Sequence, residues 1–543
     1  MYSTPRRTLK SHLFIAFLVL IISCSQDSTE ETPPNDSTVD PCENNSCQNN
    51  GTCVDGVCQC PEGFEGEFCE TAVDPCEGVV CENGGNCVNG SCACPDGFEG
   101  VLCETPTDPC ANVVCQNGGS CVNGDCECPD GTYGDSCEEV SSLSFQTEFG
   151  SRETLEVAIN GIFAIWWSPE FDHEDDVDQM FTYLNKVRTD CLEKYGMQDP
   201  PNPTSGYFYN VYIHHGQEET VLPTYWGNGQ GTDTFGMPFL TLPDGAHTDY
   251  ANLSHEGFHI FQYNSNSPGY DYAGDSQWYV EASAQWYMAQ NVPDEENTFI
   301  EAGAISSNPQ LALWHSFSNQ APGDAIDWFF QVRQYGMHLL LYYLTEQRAV
   351  APNSITDGFY TNTTLSPQEY LYTRIGGENF RNFFADWTAR NSGGFDYISE
   401  LQFNRAVVEM GLAGDPNNSN PYVHELTNSE ANGTFQPADN LRPRGWSYNV
   451  IKINNSGNAT YTFTLNGAST GSEGANAHFE ARIIVKGNGT VRYIDMDMNG
   501  LISGTGSVTV ANNETEVYLN VIAVPEHFSG NQTYNYEVDI SRN

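Results

Sequence analysis

The chain has 543 residues, enough for several domains, with 72 acidic residues against 20 basic ones and a formal charge of −52. That balance excludes nucleic acid as a partner, because phosphate binding needs clustered Lys and Arg. The charge is also uneven: no Lys or Arg stands between Lys10 and Arg152, while residues 25–140 hold 24 Asp and Glu. Such a stretch repels itself and stays solvated, which suits an extended stalk and equally suits plain solubility.

Arg6, Arg7 and Lys10 precede an apolar run from Leu13 to Ile22. The run is too short for a membrane-spanning helix and reads as a secretion signal over residues 1–23. It ends Ile21-Ile22-Ser23-Cys24, which resembles the bacterial lipobox, and the polar, acidic residues 25–31 are similar to outer-membrane export tags of some lipoproteins. The resemblance implies that Cys24 is diacylated and becomes the first mature residue. It also implies a chain lipid-anchored at the bacterial outer membrane or cell surface, with the membrane as a partner through that anchor. Ordinary signal cleavage would instead leave Cys24 as an odd thiol. Residues 24–41 are poor in apolar side chains and read as a flexible tether.

Eighteen of the 20 cysteines fall in residues 42–137. Cys42, Cys47, Cys53, Cys58, Cys60 and Cys69 are repeated as Cys76, Cys81, Cys87, Cys92, Cys94 and Cys103. They are repeated again as Cys110, Cys115, Cys121, Cys126, Cys128 and Cys137, with identical internal spacing. Dense, periodic Cys reads as a disulfide framework made in an oxidising compartment, and spacing alone leaves the pairing open. Each copy has Asp-Pro before its first Cys, and the first two carry CxCPxGFxG (Cys58 to Gly66, Cys92 to Gly100); the third has Thr132-Tyr133 instead of the Phe. The pattern resembles the EGF-like module over residues 42–70, 76–104 and 110–138. The resemblance implies bonds from first to third, second to fourth and fifth to sixth Cys. The acidic segment of calcium-binding EGF modules is missing, so all three read as metal-free spacers.

From residue 145 to about 415 cysteine almost vanishes and aromatic residues become frequent. Leu155 to Trp167 reads as an apolar strand, Tyr207 to His214 and Phe239 to Leu242 as further strands. Asp176 to Tyr195 has helical spacing, with Cys191 on its apolar face as a buried thiol. Trp328 to Thr345 reads as a long core helix.

The chemistry concentrates in Leu253-Ser-His255-Glu256-Gly-Phe-His259-Ile-Phe-Gln262. His255 and His259, at i and i+4, project from one helical face and can reach one Zn²⁺. Glu256 stands where it can take a proton from water at the metal. A catalytic zinc needs a third protein ligand, and a second helical pattern, Trp278-Tyr-Val-Glu281-Ala-Ser-Ala-Gln285-Trp286, carries Glu281 22 residues after His259. The arrangement resembles the gluzincin metallopeptidases, HExxH followed by a Glu on the next helix. More narrowly, it resembles a secreted bacterial and fungal family of unknown function with an HExxHxxQ helix and a Trp-x-x-Glu-Ser-x-Ala-x-Trp helix. That implies zinc on His255, His259 and Glu281, Glu256 as base, and peptide hydrolysis by zinc-activated water. Gln285 stands where many gluzincins have an Asp that orients a ligand His. Tyr335 and His338, at i and i+3, are the candidates to stabilise an oxyanion. His214 and His215 are adjacent on a strand, so they point to opposite faces and make a poor joint metal cluster.

Residues 416–440 read as a linker, and 441–543 as an all-β sandwich of short strands with Gly and Asn turns. Asp495 to Gly500 imitates the start of a calcium loop, but the position needing Glu is Gly506, so it reads as a turn. The expected fold is thus multidomain: small disulfide-rich modules, an α+β zincin-like domain, then a β sandwich. The expected partner is an extracellular protein, peptide or glycoprotein substrate. The rival expectation is an adhesion or binding protein whose zinc site is structural or inactive.

Overall fold

A computed structural model describes residues 41–43, 46–110, 113–129, 132–199, 206–218, 220–223, 227–293, 298–299, 301–319, 328–403, 423–468 and 475–543. The signal segment, Cys24 and the tether lie outside these residues, apart from Pro41. Contacts divide the chain into two compact units, Met1–Asn112 and Val113–Asn543.

In the modules the bonds are Cys42–Cys53, Cys47–Cys58 and Cys60–Cys69, repeated as Cys76–Cys87, Cys81–Cys92 and Cys94–Cys103. The third copy has Cys115–Cys126 and Cys128–Cys137, and Cys110 and Cys121 are also disulfide-bonded. The repeated Asn and Gly have structural jobs. Asn49, Asn83 and Asn117 donate to the carbonyls of Cys69, Cys103 and Cys137. A Cβ on Gly51, Gly85 or Gly119 would come within 2.7 Å of the Sγ of the same three cysteines, closer than any side chain tolerates. The third copy keeps the second hairpin, pairing Thr132 with Val140 despite its lost Phe.

The middle region is built on a five-stranded mixed sheet. The strand expected over 155–167 is a hairpin, β1 (Glu156–Asn160) and β2 (Phe163–Trp167), turning at Gly161 with φ +59°. Asn160-Gly161 is a two-residue turn signal buried in an apolar run. With β3 (Tyr209–His214), β4 (Gly229–Thr232) and β5 (Pro238–Pro243), the strand order is β1-β2-β3-β5-β4. Strands β2, β3 and β5 are parallel, and β4 is an antiparallel edge.

Helix α1 (Glu174–Thr189) buries Val177, Met180, Phe181, Leu184 and Val187, the face its spacing predicts. It runs into a π turn that buries the free thiol of Cys191, whose pKa burial raises. Helix α2 (Tyr250–Gln262) starts at Asp249, whose carboxylate accepts from the amides of Ala251 and Asn252. Helix α3 (Gln277–Asn291) is buried on nearly every side, its polar Gln277, Glu281, Ser283 and Gln285 included. A short α4 (Ala302–Ser307) follows. The single helix expected over 328–345 is two, α5 (Trp328–Gly336) and α6 (His338–Arg348), because the His338 ring donates to the Tyr335 carbonyl at 2.9 Å and takes it from the helical ladder. Helices α7 (Pro367–Ile375) and α8 (Gly377–Gly393) complete the layer. Among the described residues no helix is long and apolar enough to cross a membrane.

The C-terminal region is two five-stranded sheets packed face to face. It comprises β6 (Val423–Leu426), β7 (Gly433–Phe435), β8 (Ser447–Asn454), β9 (Ala459–Gly467), β10 (Phe479–Gly487), β11 (Thr490–Asp495), β12 (Asp497–Met498), β13 (Ser503–Val510), β14 (Glu516–Ala523) and β15 (Tyr536–Arg542). The sheet orders are β6-β8-β14-β10-β11 and β7-β15-β9-β13-β12. One expectation is corrected. Two short stretches of the expected linker are strand, since β6 pairs in parallel with β8 and β7 pairs with β15. One face of the sandwich is shared with the helical region: Trp446, Tyr448, Val450, Ile522 and Val524 belong to the core of that region, while the alternate residues Ile451, Ile453, Leu519 and Val521 fill the sandwich.

Candidate metal centre

Three side chains converge where α2 crosses α3. His255 Nε2 lies 3.2 Å from His259 Nε2, and Glu281 Oε2 lies 3.3 and 3.6 Å from the two nitrogens. Ligands about 2.0–2.1 Å from a tetrahedral ion sit about 3.3–3.4 Å apart, so these separations match one face of a zinc tetrahedron. All three residues are buried.

Neighbouring groups fix which atoms face the centre. Gln262 donates its amide to the Val280 carbonyl and Ser283 Oγ, so its Oε1 faces His259 Nδ1 at 2.5 Å. His259 must donate there, which leaves a lone pair on Nε2. Gln285 Oε1 does the same for His255 Nδ1 at 2.9 Å, orienting that ring. The Tyr272 hydroxyl donates to Glu281 Oε1 at 2.5 Å and leaves Oε2 for the centre. Two imidazole lone pairs and a carboxylate oxygen therefore point at one spot, an arrangement that only a cation relieves. Without metal, protons partly do so. Burial opposes ionisation of Glu281, but the hydrogen bonds and charge of the two histidines outweigh it and hold its pKa far below the usual value. Burial likewise depresses His255, yet its bond to Glu281 and the charges of Glu256 and Glu281 leave its pKa raised. Replacing Gln262 by Ala should weaken zinc binding about 10–100-fold, because His259 loses the partner that fixes its tautomer; competition with a chelator measures it.

Glu256 reaches past the ligands toward the edge strand. Its Oε1 accepts from Asn228 at 2.9 Å and its Oε2 from Gln230 at 2.8 Å. His255, His259, Glu281, Glu256, Asn228 and Gln230 line a cleft of about 650 Å³. Tyr335 is in its wall, its ring 6.0 Å from that of His255, and burial raises its hydroxyl pKa so that it stays a donor. His338, the other oxyanion candidate, is a correction. It is fully buried against Phe299, spends Nδ1 on the Tyr335 carbonyl and does not line the cleft; burial lowers its pKa to about 4.

Asn228, Gln230, Tyr272 and Glu301 escaped the sequence reading. Glu301 is in the cleft wall with a buried, unpartnered Oε2, and burial pushes its carboxyl up to about 7. Only Gln262 had a sequence signal, the third residue after the second His. His214 turns away to the Gly227 carbonyl, so it and His215 do diverge.

No curated protein matches the chain. A model of the teneurin EGF domain matches residues 26–162, which supports the EGF-like, disulfide-bonded reading and marks an extracellular or surface protein. Among solved structures, the pre-peptidase C-terminal domain of a Bacillus anthracis collagenase is 12% identical over 23% of this chain and 99% of its own, with a TM-score of 0.15. A mutant periplasmic inhibitor of g-type lysozyme from Escherichia coli is 13% identical over 22% of this chain and 97% of its own, with a TM-score of 0.15. CorA, a surface-associated copper-binding protein of Methylomicrobium album BG8, is 10% identical over 22% and 96%, with a TM-score of 0.13. Likeness at this level carries no argument. The family model that matches residues 169–542 spans both the cleft and the β sandwich, and by that match the chain belongs to the family of unknown function DUF6055.

Proposed function

We propose that this protein is a surface-displayed zinc hydrolase that cuts peptide bonds. The observation that carries this is the three-atom set on His255, His259 and Glu281 opening, with Glu256 beside it, into a cleft. A zinc ion held there supplies Lewis acidity, making water acidic near neutral pH and polarising a carbonyl. Glu256 takes the proton of the attacking water and passes it to the leaving amine. Tyr335 donates its hydroxyl to the developing oxyanion. Among the described residues strand β4 pairs on one side only, with β5, and its Gln230 touches Glu256, so an extended peptide can add to its open edge and lie across the centre. The full chain with zinc should hydrolyse peptides, lose that activity to a chelator and regain it with Zn²⁺.

One observation favours a second reading, an adhesion or binding protein with an inactive centre. Both Glu256 oxygens are occupied by amide donors, which restrains a base. A chain that carries EGF-like modules and an edge strand suits a binder as well.

The anchor belongs to the same proposal. The apolar run ending Ile-Ile-Ser-Cys24 supports lipidation at Cys24 and attachment to the outer membrane or cell surface. Cys24→Ser should move the protein from the membrane fraction to the soluble one. Failure of labelled fatty acid to enter the wild-type chain would rule the anchor out.

A further inference from the structure

The cleft does not end at the metal centre. Glu281, Gln285 and Met288 stand at i, i+4 and i+7, so they form one face of α3 and carry the cleft wall away from the ligands. Val332 and Tyr335, at i and i+3 on α5, line it too. Glu301, the residue before α4, is in the same wall. A Cβ on Gly336 would come within 2.8 Å of the Glu301 carbonyl oxygen and 3.3 Å of its Cβ. The missing side chain of Gly336 therefore lets Glu301 pack directly on α5. Val332 and Gly336 are one turn apart, which puts the apolar Val332 and Glu301 on the same side of that helix.

Nothing in the fold of α4 calls for a carboxylate at this position. The Glu301 side chain makes no capping bond to that helix. Its Oε2 is buried and has no hydrogen-bond partner among the described residues. Burial opposes its ionisation, and its own backbone amide and the charge of His255 offset that only in part. The other two carboxylates of the cleft are committed, Glu281 to the histidine pair and Tyr272, Glu256 to Asn228 and Gln230. Among the described residues that line the cleft there is no Lys or Arg. A buried carboxylate without a counter-charge is unfavourable, and a cation entering from solvent relieves it. The thioether of Met288 and the methyls of Val332 suit the methylene stem of a long basic side chain, and Glu301 suits its head.

We infer that Glu301 sets the specificity of the cleft by accepting the charged head of a Lys or Arg side chain next to the bond that is cut. The inference rests on the peptidase reading above and adds a substrate class to it: extended peptides with a basic residue beside the scissile bond. A peptide's terminal amine carries the same charge without the stem, so peptides with blocked ends tell the two apart.

The test uses the full chain loaded with Zn²⁺ and peptides acetylated at one end and amidated at the other. Lys, norleucine or Glu is placed in turn at each position around the cut. At one position beside the cut, kcat/KM with Lys should exceed that with norleucine by about 10–100-fold, the worth of a charged hydrogen bond in a desolvated site. In Glu301→Gln, which keeps the shape and whose zinc content is measured on the same preparation, that ratio should fall toward unity. In Glu301→Lys the Glu peptide should become the better substrate. Binding of the same peptides to the Glu256→Gln chain, read by fluorescence anisotropy, should show the same Lys preference and lose it when Glu301→Gln is added. Hydrolysis without a Lys preference, or with one that survives Glu301→Gln, overturns the pocket and keeps the peptidase. A Glu301-dependent Lys preference in binding, with zinc bound and no turnover by the wild type, overturns the peptidase and keeps the pocket. Neither hydrolysis nor Lys-selective binding overturns both, and cleavage confined to peptides with a free terminal amine overturns the side-chain assignment. The comparison of Lys with norleucine on the unaltered chain needs no variant, so misfolding of a Glu301 variant cannot decide the outcome.

Discussion

The Glu256→Gln protein is expected to keep its zinc at the cleft and lose turnover by about 10²–10⁴-fold, the range for a missing general base. The substitution preserves shape and volume. It also fits the local hydrogen bonds, because Glu256 accepts from the carboxamides of Asn228 and Gln230, and the Gln230 carboxamide, whose Oε1 has no partner, can turn over to accept from the new amide. No metal ligand is touched, so affinity should stay near that of the wild type. Activity on peptides and zinc content, measured on the same preparation, separate the two readings. Unchanged turnover with bound zinc would remove Glu256 as base. Absence of any peptide hydrolysis by the wild type, with zinc bound, would favour the binding protein.

The parts of this site legible in sequence are those written at short range. His255 and His259 follow from helical spacing, and Glu281 from the resemblance to the HExxH-and-Glu pattern, whose second helix follows closely in sequence. What was missed comes from segments without local signal. Asn228 and Gln230 lie in and beside a Gly-rich edge strand, Gly229–Thr232, that has no apolar alternation to announce it. Tyr272 lies in a loop. His338 shows the opposite error: helical spacing grouped it with Tyr335, but the break between α5 and α6 and the His338 bond to the Tyr335 carbonyl put its ring in the core.

The all-β pattern after residue 447 was legible strand by strand, since alternation and turn residues are local. That the sandwich shares a core with the helical region was not, because alternation says a face is buried and not against what. Trp446 is where this has the largest expected effect. It is fully buried, its ring centroid 4.8 Å from Phe380, 5.5 Å from Phe384 and 5.9 Å from Phe528, and its indole donates to the Pro525 carbonyl at 3.0 Å. Arg482 on β10 adds a bridge to Asp386 on α8, and Asn520 on β14 donates to the Thr388 carbonyl. Trp446→Ala removes a large ring from a site ringed by aromatic side chains that cannot all collapse into the gap, and should cost about 3–5 kcal/mol. The loss should appear in both regions at once. Hydrogen exchange should rise in α2 and α3 as well as in β8 and β14, and zinc should leave the cleft at lower denaturant than in the wild type. If Trp446→Ala loosens the sandwich while α2, α3 and their zinc stay protected, the two regions are independent, and the core they share across α8 contributes nothing to holding the metal centre together.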